Sequence, residues 1–259
     1  MSPILYDAFL KIERAKKHIF DLNIEIIRFF DSHRHIAFIE HDPDGPGDLL
    51  KVREDYTAPT EISLTLGDAI HNLHSALDLA INDIETITKG EKTRYTKFPI
   101  YKSRQEFEAA VSGGFKEKVP FAVFDFLVTD VEPFLGGNGA GLWHLHTLDI
   151  EDKHRILLTT THLTLISGIR VKLNNGREEE IGDWLIVPGH IAQDRLVGQR
   201  NAEITENGKP TFEIKFGKGM PFEGKPIIPT CNYLAEFVFF VVQRLAEIME
   251  ICIKYGQMT

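Results

Sequence analysis

Residues 66–83, LGDAIHNLHSALDLAIND, carry two stripes at once, and their reading sets the fold. At 100° per residue, Leu66, Ile70, Leu73, Leu77, Ile81 and Ile84 fall on one line, the apolar seam of an amphipathic helix. His71, His74, Asp78 and Asn82 fall on a second line, at i, i+3, i+7 and i+11, roughly 135° around the helix. No lysine or arginine occurs from Glu54 to Thr88. A second face that is polar yet free of cations is expected to meet other protein rather than water. TAPTEIS opens this helix, with Pro59 at its entry and Thr60 as N-cap, and Lys89-Gly90 closes it.

The natural partner is GLWHLHTLDIEDKH, residues 141–154. There Leu142, Leu145, Asp149 and Asp152 lie at i, i+3, i+7 and i+10, so two carboxylates take the direction leucines took one turn earlier. Inward-facing carboxylates require cations, hydrogen bonds, a metal or a shifted pKa. Lys153, His154 and Arg155 follow at once. His144 and His146 flank Leu145 and project to different sides, so at most one of them joins a common site.

Outside these helices, about 3–31 reads as a long amphipathic helix through Leu5, Phe9, Ile12, Ile19, Ile26, Phe29 and Phe30. HIAFIEHD and DLLKVREDY flank PDGPG as a hairpin over about 35–56. Shorter helices are expected near 104–111 and 119–130. GGNGAG, 136–141, lacks the lysine and hydroxyl residue of a phosphate loop and reads as a turn. From Arg155 the pattern becomes β, with Asn175-Gly176 and Asn207-Gly208 as hairpin turns. A last helix, about 230–254, has Leu234, Phe237, Val238, Val241, Leu245, Ile248 and Ile251 facing one way.

The expected class is therefore α+β. N-terminal, central and C-terminal helices form a bundle over 1–154 and 229–259, which includes the early hairpin, and an antiparallel β block, 155–228, precedes the last helix; the alternative is that the hairpin joins the sheet of that block.

Composition narrows the partners. A net charge of −9 over 259 residues and a pI near 5.7 argue against a broad grip on nucleic acid, which needs clustered cations. The longest apolar run near the C-terminus, FVFFVV, is far short of the ~20 residues a membrane span needs. The N-terminus does not read as a signal peptide. Cys231 and Cys252 stand about 30 Å apart if on one helix and cannot pair within it, a reduced-compartment pattern that points to the cytoplasm. No GxSxG, HExxH or GxGxxG occurs.

Three segments carry a resemblance: GDAIHNLHSALD (67–78), FPI (98–100) and LHTLDIEDKHR (145–155). The first 160 or so residues resemble a large group of bacterial proteins sharing GDAIHNLxSALD, FPI and LxxLxxxDKHR motifs. Relatives in that group often carry arginine where this chain has His74, and histidine where it has Leu79. That spacing is similar to the Arg-to-His spacing of HEPN-type ribonucleases, so the resemblance implies a HEPN-like helical bundle. Arginine there supplies a fixed charge for a phosphate and histidine a proton. With His74 and Leu79 in their places, the ribonuclease pair is not carried over.

Three functions follow as expectations. The first, slightly ahead, is a non-catalytic binding or regulatory module with a structural His/Asp network, homodimeric through its bundle or bound to a protein partner. The second is a hydrolase, with phosphodiesters among its candidate substrates. Its catalytic residues would be His71, His74, Asp78, Asp149 and Asp152, working by acid-base chemistry or through a divalent metal held by His71, His74, Asp149 and Asp152. The third is a small anionic ligand held by Lys153, His154 and Arg155.

Overall fold

The computed structural model describes residues 4–32, 37–40, 49–52, 58–91, 96–157, 159–173, 175–181, 184–185, 195–196 and 203–257. In chain order these form α1 (Tyr6–Ser32), β1 (Ala37–Glu40), β2 (Leu49–Val52), α2 (Thr60–Lys89), α3 (Arg104–Ala110), α4 (Phe121–Phe126), α5 (Ala140–His154), β3 (Thr159–Lys172), β4 (Glu178–Ile181), β5 (Trp184–Leu185), β6 (Arg195–Leu196), β7 (Glu203–Phe216) and α6 (Ile227–Tyr255). The chain is an α+β protein, a helical bundle with antiparallel β structure ahead of the last helix.

It divides into two compact units. The first comprises the described parts of Met1–Ile24, Thr60–Leu158 and Phe216–Thr259. α2 is its axis. Leu66, Ile70, Leu73, Leu77, Ile81 and Ile84 are all fully buried, each contributing about 1.5–3 kcal/mol of gross burial. α5 and α6 pack on α2, and α1 joins through Phe9, edge-on to Phe239 at 5.9 Å, and through Lys11, which donates to Asn72 Oδ1 at 3.2 Å. α2 stops where expected: Gly90 takes a left-handed φ of +71° and its N–H bonds Thr86 O.

α3 begins with a capping box. Ser103 Oγ accepts from Glu106 N–H, and Glu106 Oε2 accepts from Ser103 N–H, both at 3.2 Å. α3 and α4 each run on into a π-helical turn, Val111–Phe115 and Leu127–Val131. The glycine-rich loop is a tight turn, as read. A Cβ on Gly137 would fall 2.3 Å from Glu132 O, and one on Gly139 would fall 2.5 Å from Val131 O.

α6 corrects the expected seam. Leu234, Val238, Val241 and Leu245 are buried, but Phe237 and Ile248 are only half-buried and Ile251 is 54% exposed. Ile251 sits one stripe over, because the periodicity drifts across a helix of 29 residues.

The second unit holds Glu25–Pro59 and Thr159–Lys215, again in its described parts. β1 and β2 form the expected antiparallel pair, Phe38 opposite Lys51; the turn residues 43–47 lie outside the described residues. β2 also pairs with β6, Leu49 opposite Leu196, which groups the hairpin with the β structure of this unit. A second sheet runs β4-β3-β5, with β7 also on β3. Asn175-Gly176 turns the β3–β4 hairpin, with Gly176 at φ +79°. Asn207-Gly208 does not turn; it lies inside β7. Pairing with β3 overrides the local turn preference there, and Arg170 on β3 reaches Glu180 on β4 and Glu206 on β7 at 3.8 and 3.6 Å.

Candidate functional site

Helical spacing puts His71, His74 and Asp78 on consecutive turns of α2, and α5 supplies His146, Asp149, Asp152 and Lys153 across from them. Asp149 is the hub, with its side chain only 1% exposed. Its Oδ1 accepts from His71 Nδ1 at 2.8 Å, and its Oδ2 accepts from Lys153 Nζ at 2.5 Å. His74 Nδ1 stands 3.4 Å from the same Oδ2 and 3.7 Å from Asp78 Oδ2. His74 Nε2 meets His146 Nδ1 at 2.9 Å, and His146 lies 5.8 Å from the Trp143 ring.

The surroundings assign the proton between the two imidazoles. Nδ1 of His74 faces two carboxylates, which favour a proton there, so Nε2 accepts and His146 Nδ1–H donates. Burial pushes the His74 imidazole below its ordinary value, against the opposing pull of Asp78 and Asp149. Burial, with His74 next, lowers His146 in the same way. Asp149 goes the other way from what burial alone would do. Burial favours its neutral form, but hydrogen bonds from Lys153 and His71 and the charge of His74 outweigh it and hold the carboxyl below the usual carboxylate range.

Asp78 has a second task. Its Oδ1 accepts the backbone N–H of Phe98 at 2.9 Å, which ties the FPI segment to α2. Asp152 stands apart from the network. It packs against Gly67, where a Cβ would fall 2.1 Å from Oδ1. Burial first, then the Asp149 and Asp68 carboxylates, push its pKa up.

Of the residues expected to act together, the structure gathers His71, His74, Asp78, Asp149 and Lys153. Asp152 lies at the rim, His154 is exposed at the end of α5, and Arg155 is turned to Glu151 at 2.5 Å. Among the described residues, no group of three or more His, Cys, Asp or Glu side chains is arranged to hold a metal ion. The donor atoms of His71, His74 and Asp149 are directed at one another and at Lys153 and His146.

His146 and His144 divide as their spacing required. His146 joins the network, while His144 packs on Phe222, ring centroids 4.9 Å apart. Cys231 is buried and its thiol pushed up to about 12 by desolvation, which rules it out as a nucleophile near neutrality. One cluster had no signal in the spacing. Buried Glu85 takes a very short hydrogen bond from Thr96 Oγ1, and Lys118 Nζ reaches Thr96 Oγ1 at 3.0 Å and Glu85 at 3.5 Å. With Asp78, this pins the Thr96–Ile100 segment to α2 at two points.

No helix of the described residues is long and apolar enough to cross a membrane. No family model, no curated protein and no solved structure matches the chain.

Proposed function

We propose that the chain is a non-catalytic binding or regulatory module in which the His/Asp network fastens α5 to α2. The observation that carries this reading is the closed state of Asp149. The Asp149 side chain is buried and both its carboxylate oxygens are engaged by side chains of this chain. Such a network fixes the register of two helices, because each member is satisfied only at one relative position. The motifs shared with the bacterial group described above support a HEPN-like bundle, here without the arginine and histidine of the ribonucleases.

A second reading rests on His146. Asp149, His74 and His146 follow one another by contacts of 3.4 and 2.9 Å, and the outer imidazole is only half-buried. That arrangement fits a proton relay in an acid-base hydrolase. Assays with bis(p-nitrophenyl) phosphate and p-nitrophenyl phosphate, run with magnesium, manganese and zinc, separate the two. The module reading expects no turnover above blank. Turnover that disappears in a folded His146→Asn variant would establish the hydrolase in its place. Elemental analysis of the purified protein adds a check: near-stoichiometric metal lost in His71→Ala/His74→Ala would contradict the module reading.

A further inference from the structure

α6 shows two opposite faces. Leu234, Val238, Val241, Leu245, Met249 and Cys252 are buried against the bundle. On the outer side Phe240, Ile251 and Tyr255 fall, with Glu236, Arg244, Glu247 and Lys254, within one stripe about 100° wide at helical spacing, and half-buried Phe237, stacked on Tyr233, lies at its edge. Phe240 is 51% exposed, Ile251 54% and Tyr255 64%. An isolated exposed apolar side chain needs no explanation; a stripe of interleaved apolar and charged side chains roughly 28 Å long, from Glu236 to Tyr255, does.

The order of charge along the stripe says what covers it. From the centre outward it reads Arg244 and Glu247, then Phe240 and Ile251, then Phe237 and Lys254, then Glu236 and Tyr255. Each pair is symmetric about the midpoint between Leu245 and Ala246. Two copies of α6 laid antiparallel about a two-fold axis at that midpoint set Arg244 of each against Glu247 of the other. Phe240 then meets Ile251, and Lys254 meets Phe237 with Glu236 beside it. A parallel pairing would set arginine on arginine and glutamate on glutamate. We propose that this stripe is a self-complementary interface and that the protein is an antiparallel α6–α6 dimer. Within one chain Arg244 and Glu247 already form an ion pair and Glu236 lies 3.8 Å from Lys16 Nζ, so these charges exchange or share partners on association. The interface stands whether or not the His/Asp network is catalytic.

Sedimentation equilibrium on the full chain tests it, with circular dichroism to confirm that each variant is folded. The wild type is expected to dimerise. Arg244→Glu and Glu247→Arg each place like charges together across the axis and weaken the dimer at least about a hundredfold. The charge-swapped double variant R244E/E247R restores it. A wild type that stays monomeric throughout the micromolar range overturns the proposal. So does a dimer indifferent to either single reversal, or a double variant no better than the singles.

Discussion

Nε2 of His74 lies 2.9 Å from Nδ1 of His146, and a contact of that kind between two imidazoles holds only one proton. When both rings are charged, N–H faces N–H and the bond is lost. Burial lowers both imidazoles below their ordinary 6.5, so the unfolded chain takes up these protons at a higher pH than the folded one. The stability they allow is complete above about pH 6.5 and falls as pH drops below it, levelling once the folded-state rings are charged. Urea midpoints measured from pH 8 to pH 5 should therefore decline. In His74→Gln/His146→Gln the decline should flatten, and an unchanged slope would place the proton uptake elsewhere.

Asp149 responds in a lower window. Its folded pKa is depressed, so its contribution is present above the ordinary 3.8 and is lost as pH falls through the lower folded value. Asp149→Asn removes the charge that Lys153 and His71 face. We expect a loss of about 2–3 kcal/mol by urea denaturation, somewhat below a fully buried pair because both partners, Lys153 and His71, are half-exposed.

Gly67 gives a prediction of opposite sign to helix propensity. Alanine in a helix is favoured over glycine by about 1 kcal/mol, but here the added Cβ would fall into the Asp152 carboxyl group. Gly67→Ala is expected to destabilise the wild type and to stabilise the Asp152→Ala variant. A double-mutant cycle should give a coupling of about 1–2 kcal/mol; additivity would mean that Asp152 swings clear at no cost.

Asp78→Ala leaves the Phe98 amide without its acceptor. Phe98 is buried, so the unpaired N–H costs about 1–3 kcal/mol. Hydrogen exchange at Phe98 should speed up by at least tenfold, while the amides of α4 keep their protection.

The helical part of this fold was legible because burial there follows a short local period. The seam of α2 and the inward turn of Asp149 both follow from spacing alone. The partner of His74 did not, because a helix crossing is fixed by packing along both helices and has no linear signature. Glu85, Thr96 and Lys118 come from three separate segments and share no spacing. Asn207-Gly208 misled for the converse reason: its local turn chemistry was strong, but the ladder to β3 decided the conformation. Ile251 was placed with the core as the last of seven apolar residues read along one line of the helix; its exposure shows that the line drifts off the buried face.

The clamp is tested most directly by native-state hydrogen exchange on Asp149→Asn beside the wild type. If the network holds α5 to α2, protection should fall together along the facing turns of both helices, around His71 to Asp78 and His146 to Lys153, with α3 unaffected. If those amides keep wild-type protection, the network bears no packing role, and its histidines are there for chemistry.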